Sequence, residues 1–277
     1  MAFKQFLRKE ITPGLDETYV EEGWAKGMPG RAYYDVHLST IEKHEMATPI
    51  FRDYLGKGGM RILESGCGTG RWMAFFEKLG NTTFGVDDSP GPLAVAREHA
   101  PEMNLMRGNV LFTPLRTGCL DAVFSSYVAE HFENGPEVLF TEIHRMLKPN
   151  GLFFMVVPFN NTFRRFVTNP LLRAFYAVWN VRGRELGFTE FRYTKEEVDG
   201  FLARTGFEVI RVEPDDYFLP WSKGLFVDLC DVGSFVNYAH KPVYEFGRFG
   251  QTVVRAIQSA GIWHSCEGIF YVARAKK

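Results

Sequence analysis

The residues best suited to chemistry sit in one short run, Glu64-Ser65-Gly66-Cys67-Gly68-Thr69-Gly70. Three glycines let a chain turn tightly and let a ligand approach bare backbone. A helix starting just after them would offer unpaired N–H groups that suit a carboxylate or phosphate. Glu64 would repel a phosphate but attract an ammonium group. Further on, Gly85-Val86-Asp87-Asp88 places carboxylates where a second strand should end, a position from which Asp87 can take both hydroxyls of a ribose. Taken together, the two runs read as one site for a nucleoside bearing an amino-acid end.

Several other residues are candidates for acting on a second substrate. His131, in Ala129-Glu130-His131-Phe132, follows a strand pattern whose carboxyl end should border the ligand crevice. Its imidazole suits proton removal from a hydroxyl or amine near neutral pH. His37 and His44 share a helical spacing but have no third ligand nearby in sequence, so no metal site is expected. Cys67 reads as a small filler of the turn. The stretch 159–184 mixes Arg164, Arg165, Arg173, Arg182 and Arg184 with Phe163, Phe166, Phe175, Tyr176 and Trp179. It reads as a helical cap whose arginine stems cover apolar surface and line an acceptor pocket, with an acidic or amphipathic acceptor as its match. Contact with a membrane surface is the weaker reading of the same residues.

The elements that must position these groups follow from the apolar pattern. From Met60 to about Glu213, β-rich runs alternate with helical patterns, as in a parallel sheet covered by helices. The expected strands are Arg61–Glu64, Thr82–Val86, Asn104–Met106, Ala122–Ser125, Leu152–Val157 and Glu208–Val212. Ser89-Pro90 offers a helix start, and Lys148-Pro149-Asn150-Gly151 a stop after the helical face of Leu139, Ile143, Met146 and Leu147. Thr194-Lys195-Glu196-Glu197 is a capping box, flanked by a Tyr193/Val198 staple and followed by Gly206 at the far end of the helix.

The chain has 277 residues and a net charge of −1, so it lacks the basic footprint of a nucleic-acid binder. Its four cysteines are scattered without a CxxC pair, the pattern of reduced thiols in a cytoplasmic protein. No apolar run approaches the ~18 residues that suggest a transmembrane helix, and the start of the chain lacks the apolar stretch of a secretory signal.

The run Ile62-Leu63-Glu64-Ser65-Gly66-Cys67-Gly68-Thr69-Gly70 resembles the first motif of class I S-adenosylmethionine (SAM)-dependent methyltransferases. The stretches 85–97, 107–132, 142–158 and 191–210 resemble their later strand–helix units, the last as in the small-molecule branch. The resemblance implies a doubly wound, Rossmann-like α/β fold with a seven-stranded sheet whose last strand, near Ile269–Ala273, is antiparallel. It implies SAM as cofactor and methyl transfer to O, N or C of a small-molecule acceptor. Carried over, Glu64, Gly66, Cys67, Gly68 and Gly70 would surround the methionine part, Asp87 the ribose, and Asp88 the adenosine. Asn109 and Val110 would face the adenine edge, and Ser126 would lie near the methionine amine. Tyr33 belongs to a segment that folds over SAM in similar enzymes and is a second catalytic candidate beside His131. Glu64 and Asn109 stand where Asp is commoner, and both keep an acceptor.

On this reading residues 1–59 form an N-terminal helical lid and 60–158 the SAM-binding core. Residues 159–192 form a cap insert, 193–213 and 268–277 complete the sheet, and 214–267 are a second insert. Two alternatives have different consequences. A nicotinamide-dependent oxidoreductase would need a glycine where Arg71 stands. A non-catalytic interaction protein on the same fold would share the cofactor motifs but lack a competent acceptor site.

Overall fold

The computed structural model describes residues 1–8, 41, 46–181, 186–217 and 248–277. Tyr33, Tyr34, His37, His44, Arg182, Arg184 and most of the second insert lie outside the described residues. The main sheet has seven strands: β2 (Arg61–Ser65), β3 (Thr82–Asp87), β4 (Leu105–Arg107), β5 (Leu120–Ser126), β6 (Leu147–Pro158), β8 (Phe207–Asp215) and β9 (Gly268–Ala275). Their order is β4-β3-β2-β5-β6-β9-β8. The first five are parallel, and β9 runs antiparallel to both β6 and β8.

The chain winds outward from β2 to β3 and β4, then returns to add β5 and β6 on the other side. The order therefore reverses between β2 and β5, and a crevice opens at the carboxyl ends of these strands. The glycine run follows β2 at that end. Each expected strand is present at its place, with shifted ends. β6 begins at Leu147 rather than Leu152, because Leu147 pairs with Leu120 across a register irregularity and Asn150 absorbs the turn at φ 61°.

Helices α1 (Ala47–Leu55), α2 (Arg71–Lys78), α3 (Pro90–His99), α4 (Glu137–Met146) and α6 (Lys195–Arg204) accompany the sheet. Alternate residues of a strand face opposite sides, so adjacent residues enter different cores. Leu63, Val123, Phe153, Tyr271 and Ala273 pack with Leu139, Phe140 and Ile143 of α4 and Val198 and Leu202 of α6. Ile62, Phe124, Phe154 and Phe270 pack with Ile50, Phe51 and Leu55 of α1 and Trp72 and Phe76 of α2. Phe51 is the hub of the second core, its ring 4.8–5.6 Å from those of Phe76, Phe124, Trp72, Phe154 and Phe270.

The expected helix ends are mostly built as read. Thr194 Oγ1 accepts from the Glu197 amide while the Glu197 carboxylate accepts from the Thr194 amide, and Gly206 follows at φ 86°. Ser89 does precede Pro90 at the start of α3, but its side chain makes no capping bond.

Two features depart from the expected lid and cap. The N-terminal segment does not begin as a helix: Phe3–Arg8 is a strand, β1. It pairs antiparallel with β7 (Leu186–Arg192), a strand within what was expected to be a helical cap. The reason is long-range pairing between segments far apart in sequence. The cap does contain a helix, α5 (Asn169–Val181), entered through a π-helical turn at Arg164–Thr168. Another helix, α7 (Arg248–Ser259), lies in the second insert.

Candidate active site

The glycine run is shaped by backbone bonds. The amides of Gly66 and Cys67 both donate to the Val86 carbonyl at 2.8 and 3.1 Å, tying the turn to β3. Gly66, Gly68 and Gly70 have φ of 78°, 50° and 71°, a region that disfavours side chains. At Gly66 a Cβ would also meet the Val128 side chain at 2.3 Å, whereas one at Gly68 would project into open space. That open cradle at Gly68 is room for a ligand against bare backbone.

Asp87 closes the other side. Its Oδ2 accepts from the Gly68 amide at 2.8 Å and its Oδ1 from the Ser89 amide at 2.9 Å. These bonds fix the carboxylate's orientation; each oxygen has a second lone pair for a ribose hydroxyl. Beneath the turn, Glu64 is buried and its Oε2 accepts from the Met73 amide at 3.2 Å. Burial lifts its carboxyl to about 8; the Arg71 charge and the Met73 amide pull it down, and Asp87 pushes it further up. A ligand ammonium here would relieve that cost, so the donor set fits the amino-acid end of SAM.

The remaining cofactor candidates lie at or just after the carboxyl ends of β3, β4 and β5. Ser126 ends β5, and Tyr127 after it takes φ 54° while donating its hydroxyl to Asp215 at 3.3 Å. Asp88 is exposed and its carbonyl accepts from Arg107 at 3.2 Å. Asn109 is exposed, with its Oδ1 accepting from the Leu111 amide at 2.8 Å, and Val110 is buried. Cys67 is buried, and burial pushes its thiol well above its ordinary value. That makes it a poor nucleophile.

His131 lies in the short helical turn Ala129–His131 after β5, on the crevice side of the sheet. Its Nδ1 is 2.8 Å from the Thr189 carbonyl of β7, and its Nε2 is 3.9 Å from Glu130 Oε1. Glu130 is fully buried, and burial, then Glu190, holds its carboxyl well above the usual range. Potential ligand atoms of Glu130, His131 and Glu190 all lie within 4.8 Å of one another. The sequence reading had His131 alone. Glu130 carried a signal as its neighbour, but Glu190 arrives only because β7 folds against the turn.

The arginines of the cap divide. Arg165 and Arg173 are exposed, but Arg164 is buried and donates to the carbonyls of Phe159 at 2.6 Å and Glu267 at 2.8 Å. Arg164 thus fastens the cap to the end of the sheet. Among the described residues, no helix is long and apolar enough to cross a membrane.

Comparison with known proteins agrees with this geometry. Residues 63–155 match the model of a family described as a methyltransferase domain. The malonyl-[acyl-carrier protein] O-methyltransferase of Serratia marcescens is 31% identical over 117 residues, 39% of this chain and 46% of that protein. The mitochondrial ubiquinone biosynthesis O-methyltransferase of Schizosaccharomyces pombe is 32% identical over 123 residues, 42% of this chain and 44% of that one. The match thus spans less than half the length of these curated relatives. In fold, the chain is similar to an S-adenosylmethionine-dependent methyltransferase from Mesorhizobium loti, with a TM-score of 0.52 and 20% identity. That likeness covers 82% of this chain and 97% of the other. Residues 63–155 therefore match a methyltransferase domain, and the reversed strand order with its glycine turn bound to Asp87 lies in a fold that the chain shares with S-adenosylmethionine-dependent methyltransferases.

Proposed function

We propose that the protein transfers a methyl group from SAM to an O, N or C atom of a small-molecule acceptor. The observation that carries this reading is the pairing of a buried Glu64 with Asp87 across the open Gly68 cradle. Bound SAM supplies an already activated methyl on a sulfonium. What remains for the protein is alignment, so that donor and acceptor meet in line. Glu64 and the turn amides would hold the amino-acid end, Asp87 the ribose, and Asn109 and Val110 the adenine edge. Asp88 and Ser126 would complete the surround.

His131 and Tyr33 are the candidates on the acceptor side. A carbonyl only accepts, so the Thr189 contact places the His131 proton on Nδ1 and the lone pair of the neutral ring on Nε2. That lone pair can take an acceptor's proton directly, or hold a cation that weakens the acceptor's O–H bond; the second use is argued below. The cap is proposed to line the acceptor pocket, with Arg165 and Arg173 offering positive charge to an acidic or amphipathic molecule. The malonyl-[acyl-carrier protein] and ubiquinone biosynthesis relatives are both O-methyltransferases, so they support methyl transfer without singling out one acceptor.

Calorimetry with SAM, S-adenosylhomocysteine and NADH tests the cofactor. Binding of the two SAM species alone is expected; binding of NADH with no response to either would overturn the reading. Incubation with methyl-labelled SAM and a cell extract then tests turnover. Cofactor binding without transfer of label to any metabolite would favour a non-catalytic interaction protein.

A further inference from the structure

We propose that Glu130, His131 and Glu190 form a binding site for a first-row divalent cation at the acceptor side of the crevice. Two carboxylates and an imidazole converge there from different elements, the turn after β5 and strand β7. Ligand atoms of a common cation, each ~2.0–2.2 Å from it, stand about 3–4.4 Å apart. The observed spacing, within 4.8 Å, is close to that of a formed site.

Two further observations point to a ligand. The first is the histidine tautomer. His131 Nδ1 is bonded to the Thr189 carbonyl, which turns Nε2 with its lone pair toward Glu130. Metal-ligating histidines are oriented in this way by a backbone carbonyl on the other ring nitrogen. The second is Glu130 itself. It is 1% exposed, and its Oε2 has no hydrogen-bond partner among the described residues. An oxygen in that position loses hydration without replacement, which is costly unless a cation or proton meets it.

Glu190 is held from behind. The buried Arg192 donates to Glu190 Oε1 from Nε at 3.3 Å and Nη2 at 3.1 Å, as an outer-shell partner orients a metal-binding carboxylate. Imidazole with carboxylates suits Mn²⁺, Fe²⁺ or Zn²⁺ better than a soft, thiolate-seeking ion. Three protein ligands leave coordination positions for an acceptor oxygen. On the methyltransferase reading, a hydroxyl bound there would release its proton to solvent water more readily, as metal-bound water does. Its oxygen would then take the methyl group from the SAM sulfonium, leaving S-adenosylhomocysteine. The cation site itself does not depend on that reading.

The test uses the full chain after chelator treatment and dialysis. Mn²⁺ is titrated by electron paramagnetic resonance and Zn²⁺ by calorimetry, with the melting temperature followed in parallel. One saturable site is expected, with a rise in melting temperature. Glu130→Gln, Glu190→Gln and His131→Ala should each weaken affinity at least tenfold. Should Glu130→Gln fail to fold, the two more accessible positions decide. Absence of saturable binding in the wild type, or affinity unchanged in the folded variants, would overturn the site. S-adenosylhomocysteine is titrated into the same samples. Its binding without Mn²⁺ or Zn²⁺ binding sinks the cation site alone, and the converse sinks the cofactor reading alone.

Discussion

Replacing Glu64 by Gln should stabilise the unliganded protein while weakening its hold on SAM. Glu64 is buried beneath the glycine turn, and burial raises its carboxyl from an ordinary 4.5 to about 8. Between those values the folded protein keeps a proton that the unfolded chain releases. Stability associated with the neutral carboxyl is full below pH 4.5 and is lost as pH rises, by about 1.4 kcal/mol per unit, levelling above pH 8. At pH 7 the loss amounts to about 3 kcal/mol. Gln cannot ionise and keeps an oxygen for the Met73 amide, now 3.2 Å from Oε2. Denaturant titrations should therefore show the variant gaining on wild type by up to about 3 kcal/mol at pH 7, with little difference near pH 4.5. Binding should move the other way. A ligand ammonium beside a buried carboxylate contributes about 1.5–3 kcal/mol, or roughly 10- to 150-fold in Kd. Below pH 8, wild type should release a proton on binding S-adenosylhomocysteine, detected as buffer-dependent heat, and the variant should not. Parallel pH profiles of stability, together with affinities within twofold, would refute the placement of an ammonium at Glu64.

Three other substitutions probe the frame around that group. Asp87→Ala removes the acceptor for the Gly68 and Ser89 amides as well as the proposed ribose contact. SAM affinity should fall by about 1.5–3 kcal/mol with the fold retained, and calorimetry giving wild-type affinity would dismiss the ribose assignment. Gly66→Ala meets both the Val128 side chain and the φ of 78°. It should lower the melting temperature, and adding Val128→Ala should restore only part of the loss, because about 1–2 kcal/mol of backbone strain remains. Phe51→Ala empties the hub of the second core and should cost about 3–5 kcal/mol in denaturant titrations. A loss below 1 kcal/mol there would mean that the α1 packing is not holding the sheet.

The sequence by itself determined the parts of this protein whose physics is local. The glycine turn after β2, the carboxylate at the end of β3 and the Thr194/Glu197 capping box depend on neighbours a few residues away. Each of these is present where its residues predicted it. The alternation of apolar runs with helical periodicity likewise required strands buried on both faces and helices over them. Tertiary structure alone decided what lies between distant segments. The pairing of β1 with β7 turns a stretch expected to be helical into strand, since cross-strand bonds outweigh local pattern. Arg164 resembled its exposed neighbours in sequence, yet chain packing buries it against the carbonyls of Phe159 and Glu267. His131 was legible as one histidine after a strand. Its tautomer, the burial of Glu130 and the arrival of Glu190 depend on where β7 docks, because a hydrogen bond or a shared ligand needs two groups within a few ångströms, and sequence spacing does not set that distance for residues from different elements.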